Sequence, residues 1–204
     1  MARVEENKLV KRSALLEAAF ALFVERGIIR TSIADITKKA GLAKGTFYLY
    51  FKDKYDISNK LIARKTADIF NQSVEALRKC PQDCFEDEMI FLIDDVIRQL
   101  NHDKILLNFI SKNLEWGIFK NAIMEQTEEI GLDVMDYYQD MIARSGKRFR
   151  DPELMLFMIV ELVGSTIHNV ILFKEPVTLE VLKPELVRTI RLIIRDQEMD
   201  GSID

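Results

Sequence analysis

The chain has 204 residues, 48% hydrophobic and 30% charged, a globular balance that excludes a disordered or collagen-like polypeptide and suits one domain or two small ones. Only 8 Gly and 4 Pro predict long regular elements and few tight turns. The formal net charge of −4, taken as an average, speaks against a nucleic-acid partner, because phosphates are held by basic surface.

In chain order, apolar residues recur at spacings of three and four, and no long alternating strand pattern occurs. This predicts an all-α chain of about nine helices. The first covers 7–26, with Leu15, Leu16, Ala19, Leu22 and Phe23 on one stripe and Gly27 as a left-handed stop. Two short helices follow at 33–39 and 44–51, then a long one over 53–79, ended before Pro81. Further helices are predicted over 84–101, 103–116, 118–145 and 152–174. The last ends at 197 and starts at 178 or, because Pro breaks helix interiors, near Pro184.

The stretch 155–173 is apolar enough to raise the question of a membrane span. Glu161, His168 and Asn169 inside it would be costly in hydrocarbon, so a helix buried in protein is expected and no membrane partner. The opening MARVEENKLVKRS has no apolar run and does not read as a signal peptide. Cys80 and Cys84 supply neither a CxxC pair nor enough ligands for a metal. They read as reduced thiols, which suit the cytoplasm.

The charge average splits along the chain. Residues 1–54 carry 11 Lys/Arg against 6 Asp/Glu, a net of +5, and residues 55–204 carry the remaining −9. Such asymmetry predicts a basic domain over 1–54 and an acidic helical body over 55–204.

The informative stretch is TSIADITKKAGLAKGTFYLYFKDKYDI, residues 31–57. Ser32 followed by Asp35 is a short capping box opening a helix. Gly41 allows a tight turn, and Lys44 opens the next helix. Phe47 and Phe51, four apart, face inward. A helix-turn-helix sets the start of its second helix in the major groove. There Gly45 admits close backbone approach, Lys44 reaches guanine acceptors or a phosphate, and Thr46 offers a methyl or hydroxyl contact. Tyr48, Tyr50 and Lys54 are of the type that grips phosphates and sets register. Thr31 and Ser32 stand at the start of the second helix, where free N–H groups, like those opening the fourth, make anion sites. Lys52 reads as a phosphate contact or a solvated charge. Lys8, Lys11 and Arg12 read as an N-terminal arm or a solvated face.

From Leu15 to Ile57 the pattern resembles the TetR family of bacterial transcriptional regulators. The matching residues are Leu15-Leu16, Ala18-Ala19, Leu22-Phe23, Gly27, Thr31, Ile36 and Ala40-Gly41. They continue through Lys44-Gly45-Thr46, Tyr48, Tyr50-Phe51, Lys54 and Ile57. The chain departs from the family at Thr37, where a small Ala is usual, and at Ala43, where Ser is usual. That Ser would cap the recognition helix, and its absence costs about 0.5–2 kcal/mol of helix stability.

The resemblance implies a helix-turn-helix headpiece reading double-stranded DNA, at a palindromic operator, as a homodimer. It also implies a helical body with a pocket for a small-molecule effector. The residues add two points. The 152–174 helix is apolar on nearly all sides, and the last helix carries a stripe of Leu186, Val187, Ile190, Ile193 and Ile194. Together they predict a self-association surface through the last two helices. Phe91, Trp116, Phe119, Met124, Met135, Tyr138, Met141, Met158 and His168 are the pocket candidates, because aromatics and Met line apolar cavities. Each also suits plain core.

Two other classes stand beside a ligand-responsive repressor. One is a DNA-binding architectural protein without ligand, the other a helical enzyme carrying such a headpiece. The two histidines lie in separate segments, and HExxH, GxSxG and Gly-rich phosphate loops do not occur. No catalytic residue, cofactor or metal is therefore expected.

Overall fold

Residues 2–113 and 134–199 are described by the computed structural model. Among them run nine helices: α1 (Ala2–Arg26), α2 (Ile33–Lys39), α3 (Lys44–Phe47), α4 (Lys54–Lys79), α5 (Phe85–His102), α6 (Lys104–Asn113), α7 (Val134–Ser145), α8 (Pro152–Phe173) and α9 (Leu179–Gln197). The only extended pairing among the described residues is an isolated bridge between Phe149 and Glu198. The chain divides into two compact units, Met1–Lys65 and Thr66–Asp204.

In the first unit α1 packs on α2, and α2 on α3. The predicted α1 stripe is the core: Leu15, Leu16, Ala19, Leu22 and Phe23 are buried beside Ile36, Phe47, Phe51 and Ile57. Gly27 ends α1 at φ +82°, and Gly41 turns the chain at φ +68°. Both values are strained for any residue with a Cβ. Ser32 caps α2 with a complete capping box, and the Arg26 guanidinium binds Asp35 at 2.8 Å. These contacts fix the α1–α2 connection. With Asp56, Lys60, Arg64 and Lys65 included, the charge of this unit is +7.

In the second unit α8 packs against α6, α9 and α5, and α5 also meets α6, α7 and α9. Its core holds Phe85, Leu92, Met141, Met155, Ile159, Ile167, Ile190 and Ile194. Lys147 binds Glu86 at 2.9 Å and Glu198 at 2.8 Å, and Arg191 binds Asp87 at 2.6 Å. These pairs tie the start of α5 to α9 and to the joint before α8. Asp151 caps α8, with Pro152 in its first turn.

Two elements differ from the sequence expectation. α1 starts five residues earlier. α3 has four residues, because its continuation tightens into bonds spanning three residues, from Leu49 N–H to Thr46 O and from Tyr50 N–H to Phe47 O. α9 follows the longer of its two expected spans, starting at Leu179 and carrying Pro184 inside. The turn before Pro184 is held by the N–H groups of Val181 and Leu182 on Thr178 O. The expected helix over 118–145 is described only from Val134, and residues 114–133 lie outside the described residues.

Candidate functional site

The basic unit presents one compact surface built on α3. Phe47 and Phe51 are buried with ring centroids 5.5 Å apart and anchor this short element. Residues out of phase with them must point outward. Lys44 and Gly45 are exposed, Tyr48 is 54% exposed and Leu49 78% exposed, while Thr46 and Tyr50 are half-buried. A Cβ on Gly45 would meet nothing within 4 Å. Glycine there is not demanded by internal packing, and it leaves bare backbone on the surface. Ala43 occupies the N-cap of α3 and provides no side-chain cap.

Leu49 is absent from the residues that the sequence singles out, although a signal exists. It lies two residues from each of the inward Phe47 and Phe51, so its side chain faces away from their core. A bare leucine between two tyrosines on a basic surface suits contact with a thymine methyl.

Thr31 and Lys54 turn inward. Thr31 is 1% exposed, and its hydroxyl donates to Gly27 O at 2.8 Å, so its side chain secures the end of α1. Lys54 Nζ donates to Ile29 O at 2.9 Å and to Thr31 O at 3.3 Å, bracing the α1–α2 turn from the start of α4. The expected anion sites at the starts of α2 and α4 are occupied in part by the protein's own carboxylates. At α2, Ser32 N–H donates to Asp35 at 3.0 Å. At α4, Asp53 accepts from the N–H groups of Tyr55 and Asp56, and Asp56 accepts from Lys52 N–H at 2.8 Å. Hydrogen bonds from the Ser32 hydroxyl and N–H, aided by Arg26, hold Asp35 below the usual carboxylate value. It is ionised at neutral pH and already holds the Ser32 N–H.

The second unit contains a cavity of about 480 Å³. Its walls come from α4 (Ile69, Phe70), α5 (Leu92, Val96), α6 (Leu107, Ile110), α7 (Tyr138, Met141) and α8 (Ile159, Val163). Of the sequence candidates, the structure brings together Tyr138, Met141 and His168 at this cavity. Phe91, Met135 and Met158 are half-buried and do not line it. Trp116, Phe119 and Met124 lie outside the described residues. Lining residues that the sequence does not point to include Thr66, Ile69 and Phe70 of α4 and Leu92 and Val96 of α5. Which faces enclose a void depends on how five helices pack, and a single helix pattern carries no record of that.

The cavity's polar groups are few. The Tyr138 hydroxyl is already donated to Pro152 O at 3.0 Å, and its burial pushes the phenol pKa well up. Thr66 Oγ1 and His168 Nε2 are buried with no hydrogen-bond partner among the described residues. One wall is braced from behind. Buried Asp95 accepts from Ser73 at 3.0 Å and Gln99 at 2.8 Å and pairs with Arg98. Gln99 also donates to Ile69 O at 3.1 Å. Burial pushes the Asp95 carboxyl up, but the bonds from Arg98, Gln99 and Ser73 outweigh it and hold it below its usual value.

Known proteins share these features. The family model described as bacterial regulatory proteins, tetR family, matches residues 15–61. Over 68 residues the chain is 38% identical to the uncharacterized HTH-type transcriptional regulator YvdT of Bacillus subtilis (strain 168), covering 33% of each chain. Over 120 residues it is 25% identical to the HTH-type transcriptional regulator AcrR of Shigella flexneri, covering 57% of this chain and 55% of that one. The chain thus spans between a third and just over half of the length of these curated relatives. The structure of the transcriptional regulator FadR from Bacillus subtilis in complex with stearoyl-CoA shares the fold. Its TM-score is 0.63 at 21% identity, over 87% of this chain and 96% of that one.

Proposed function

Because the family model of the tetR bacterial regulatory proteins matches residues 15–61, we propose that this chain is a ligand-responsive transcriptional repressor. It binds an inverted-repeat operator as a homodimer. The carrying observation is the outward group Lys44, Gly45, Tyr48 and Leu49, set on buried Phe47 and Phe51 in a unit of charge +7. Lys44 reaches base edges or a phosphate, Tyr48 holds the backbone, and Thr46 and Tyr50 add partial contacts at the rim. Thr31, Ser32 and Lys54 act one step back, by fixing the turn from which α3 is presented.

Self-association through α8 and α9 is supported by apolar side chains left exposed there: Leu154 and Phe173 on α8, Val181 and Leu192 on α9. α8 is long and apolar enough to cross a membrane, yet only 33% of its apolar window is buried within the chain. We read the remainder as covered by a second copy, not by lipid, since Glu161 and Asn169 also lie on its exposed surface. A regulator of chromosomal DNA works in the cytoplasm, where exposed Cys80 and Cys84 stay reduced.

The cavity is read as the effector site. α4 supplies Ile69 and Phe70 to its wall and begins at Lys54, so a ligand that repacks this wall moves the helix leaving the headpiece. Release from the operator then requires different ligand affinities for the two α4 positions.

The test is selection of a DNA site from a random duplex pool, followed by titration at several salt concentrations. Lys44→Ala is expected to weaken selected-site binding by about 1–3 kcal/mol if it contacts a base, or to lower the salt slope by about one if it contacts phosphate. Absence of any sequence preference, or an unaltered titration in both Lys44→Ala and Tyr48→Phe, would overturn the reading.

A further inference from the structure

The segment that the headpiece turns outward is short of the side chains that read bases by paired hydrogen bonds. Residues 40–52, AGLAKGTFYLYFK, contain no Arg, Asn, Gln, Asp or Glu. In the major groove Asn and Gln read adenine, Asp and Glu accept from cytosine, and Arg and Lys read guanine. Lys44 can mark a guanine, but this segment has no amide for adenine and no carboxylate for cytosine. The feature of an A·T pair that needs neither is the thymine 5-methyl group, which is read by apolar contact.

Leu49 is the most exposed large apolar side chain of this segment, at 78%. Its backbone is held, with its N–H donated to Thr46 O at 3.3 Å. The rings beside it lean on the core: Tyr48 meets buried Phe47 edge-on at 5.6 Å, and Tyr50 lies 6.4 Å from Phe51. Gly45 offers no side chain, and Thr46 is half-buried. A leucine left in water gains free energy when it is covered. The charge of +7 on its unit selects duplex DNA as what covers it. We propose that Leu49 is a specificity-determining residue, reading an A·T pair in each half-site by packing on the thymine 5-methyl group. This rests on the reading of the chain as an operator-binding protein.

Deoxyuridine in place of thymidine deletes the methyl group and keeps the base pair, so it isolates this contact. In the site selected from the random pool, each thymidine is replaced in turn and the full chain is titrated by fluorescence anisotropy. At one position per half-site the native chain is expected to lose about fourfold in affinity, the effect of about one buried methyl group. Leu49→Ala is expected to bind the unmodified site about fourfold more weakly and to be insensitive to deoxyuridine at that position, because two partners in contact are not additive. Its salt slope should be unchanged, since no phosphate contact is lost. Its melting temperature should hold, since the side chain is outside the core. A cytosine placed at the same position should bind poorly. Its 5-methyl form restores the methyl group and should recover about fourfold with the native chain but not with Leu49→Ala.

Insensitivity to deoxyuridine at every position overturns the inference and leaves A·T pairs to be read by DNA shape. Equal sensitivity in the native chain and in Leu49→Ala overturns it by giving the methyl group to another side chain. Failure of 5-methylcytosine to recover binding by the native chain overturns it as well. In all three cases the operator-binding reading stands. A selection that returns no preferred sequence overturns that reading itself.

Discussion

The two units carry sites of opposite construction. The headpiece site is convex, made of side chains that the core rejects: Lys44, Tyr48 and Leu49 project because Phe47 and Phe51 are fixed inside. The body site is concave, the volume that α4 to α8 leave unfilled. A projecting site is specified by a few residues at fixed offsets in one segment. A cavity is specified by distances between segments, so no local stretch records it. The same contrast governs fragility, because a four-residue helix has little besides its two aromatic anchors to hold it.

Phe47→Ala should break the pair apart most sharply. Phe47 is wholly buried, and removing such a side chain costs about 3–5 kcal/mol. Operator binding is expected to vanish while the body stays folded. Amide-exchange mass spectrometry would show protection lost over residues 15–61 and kept over α8. Loss of protection over α8 as well would show that the body depends on the headpiece fold.

The converse change targets the body. Asp95→Asn keeps the shape of the buried network but turns a donor toward Ser73 and Gln99 or toward Arg98, which already donate to this carboxyl. The expected loss is about 1–3 kcal/mol at neutral pH. The native carboxyl titrates below its usual value, so its contribution is present above the ordinary carboxylate pKa. It fades as pH falls through the lowered one. The gap between native and variant chains should narrow below about pH 4, measured by urea denaturation at neutral and acid pH. A gap that stays constant or widens would assign the stability to shape and not to charge.

The same contrast explains what the sequence discloses. The α1 stripe, the stops at Gly27 and Gly41, and the inward Phe47 and Phe51 follow from helix period and backbone sterics, both local properties. Thr31 and Lys54 are harder to read for a physical reason. A hydroxyl or ammonium near a DNA-reading segment looks the same in sequence whether it faces solvent or closes a turn, and here both bond to backbone carbonyls. Among the cavity candidates, aromatic or Met identity does not separate Tyr138, which lines the void, from Phe91, which does not. Glu161 stands out in the sequence as a cost inside an apolar helix, but its place at a cavity wall depends on how α8 meets its neighbours. The apolar character of α8 on nearly all sides conceals which face encloses space and which is exposed.

The smallest effect concerns the start of α3, and it sharpens the claim that the headpiece is held by few contacts. Ala43 has the extended backbone of an N-cap, φ −68° and ψ 145°, but no side-chain oxygen for the first N–H groups. Ala43→Ser needs no backbone change and supplies an acceptor for the N–H of Gly45, that of Thr46 already donating to Ala43 O at 2.9 Å. A cap of this kind is worth about 0.5–2 kcal/mol, and the exposed position favours the lower end, because water already competes for those donors. The melting temperature of the headpiece is therefore expected to rise by a few degrees, since about 1 kcal/mol moves a domain of this size by roughly 4–8 °C. Operator affinity should rise with it, by no more than about tenfold, because the added hydroxyl both steadies α3 and stands beside Lys44. A gain in stability without a gain in affinity would confine the added hydroxyl to capping. A gain in affinity without stability would make it a phosphate contact, and the bare N-cap would then mark a place where this headpiece grips its operator less tightly than its geometry allows.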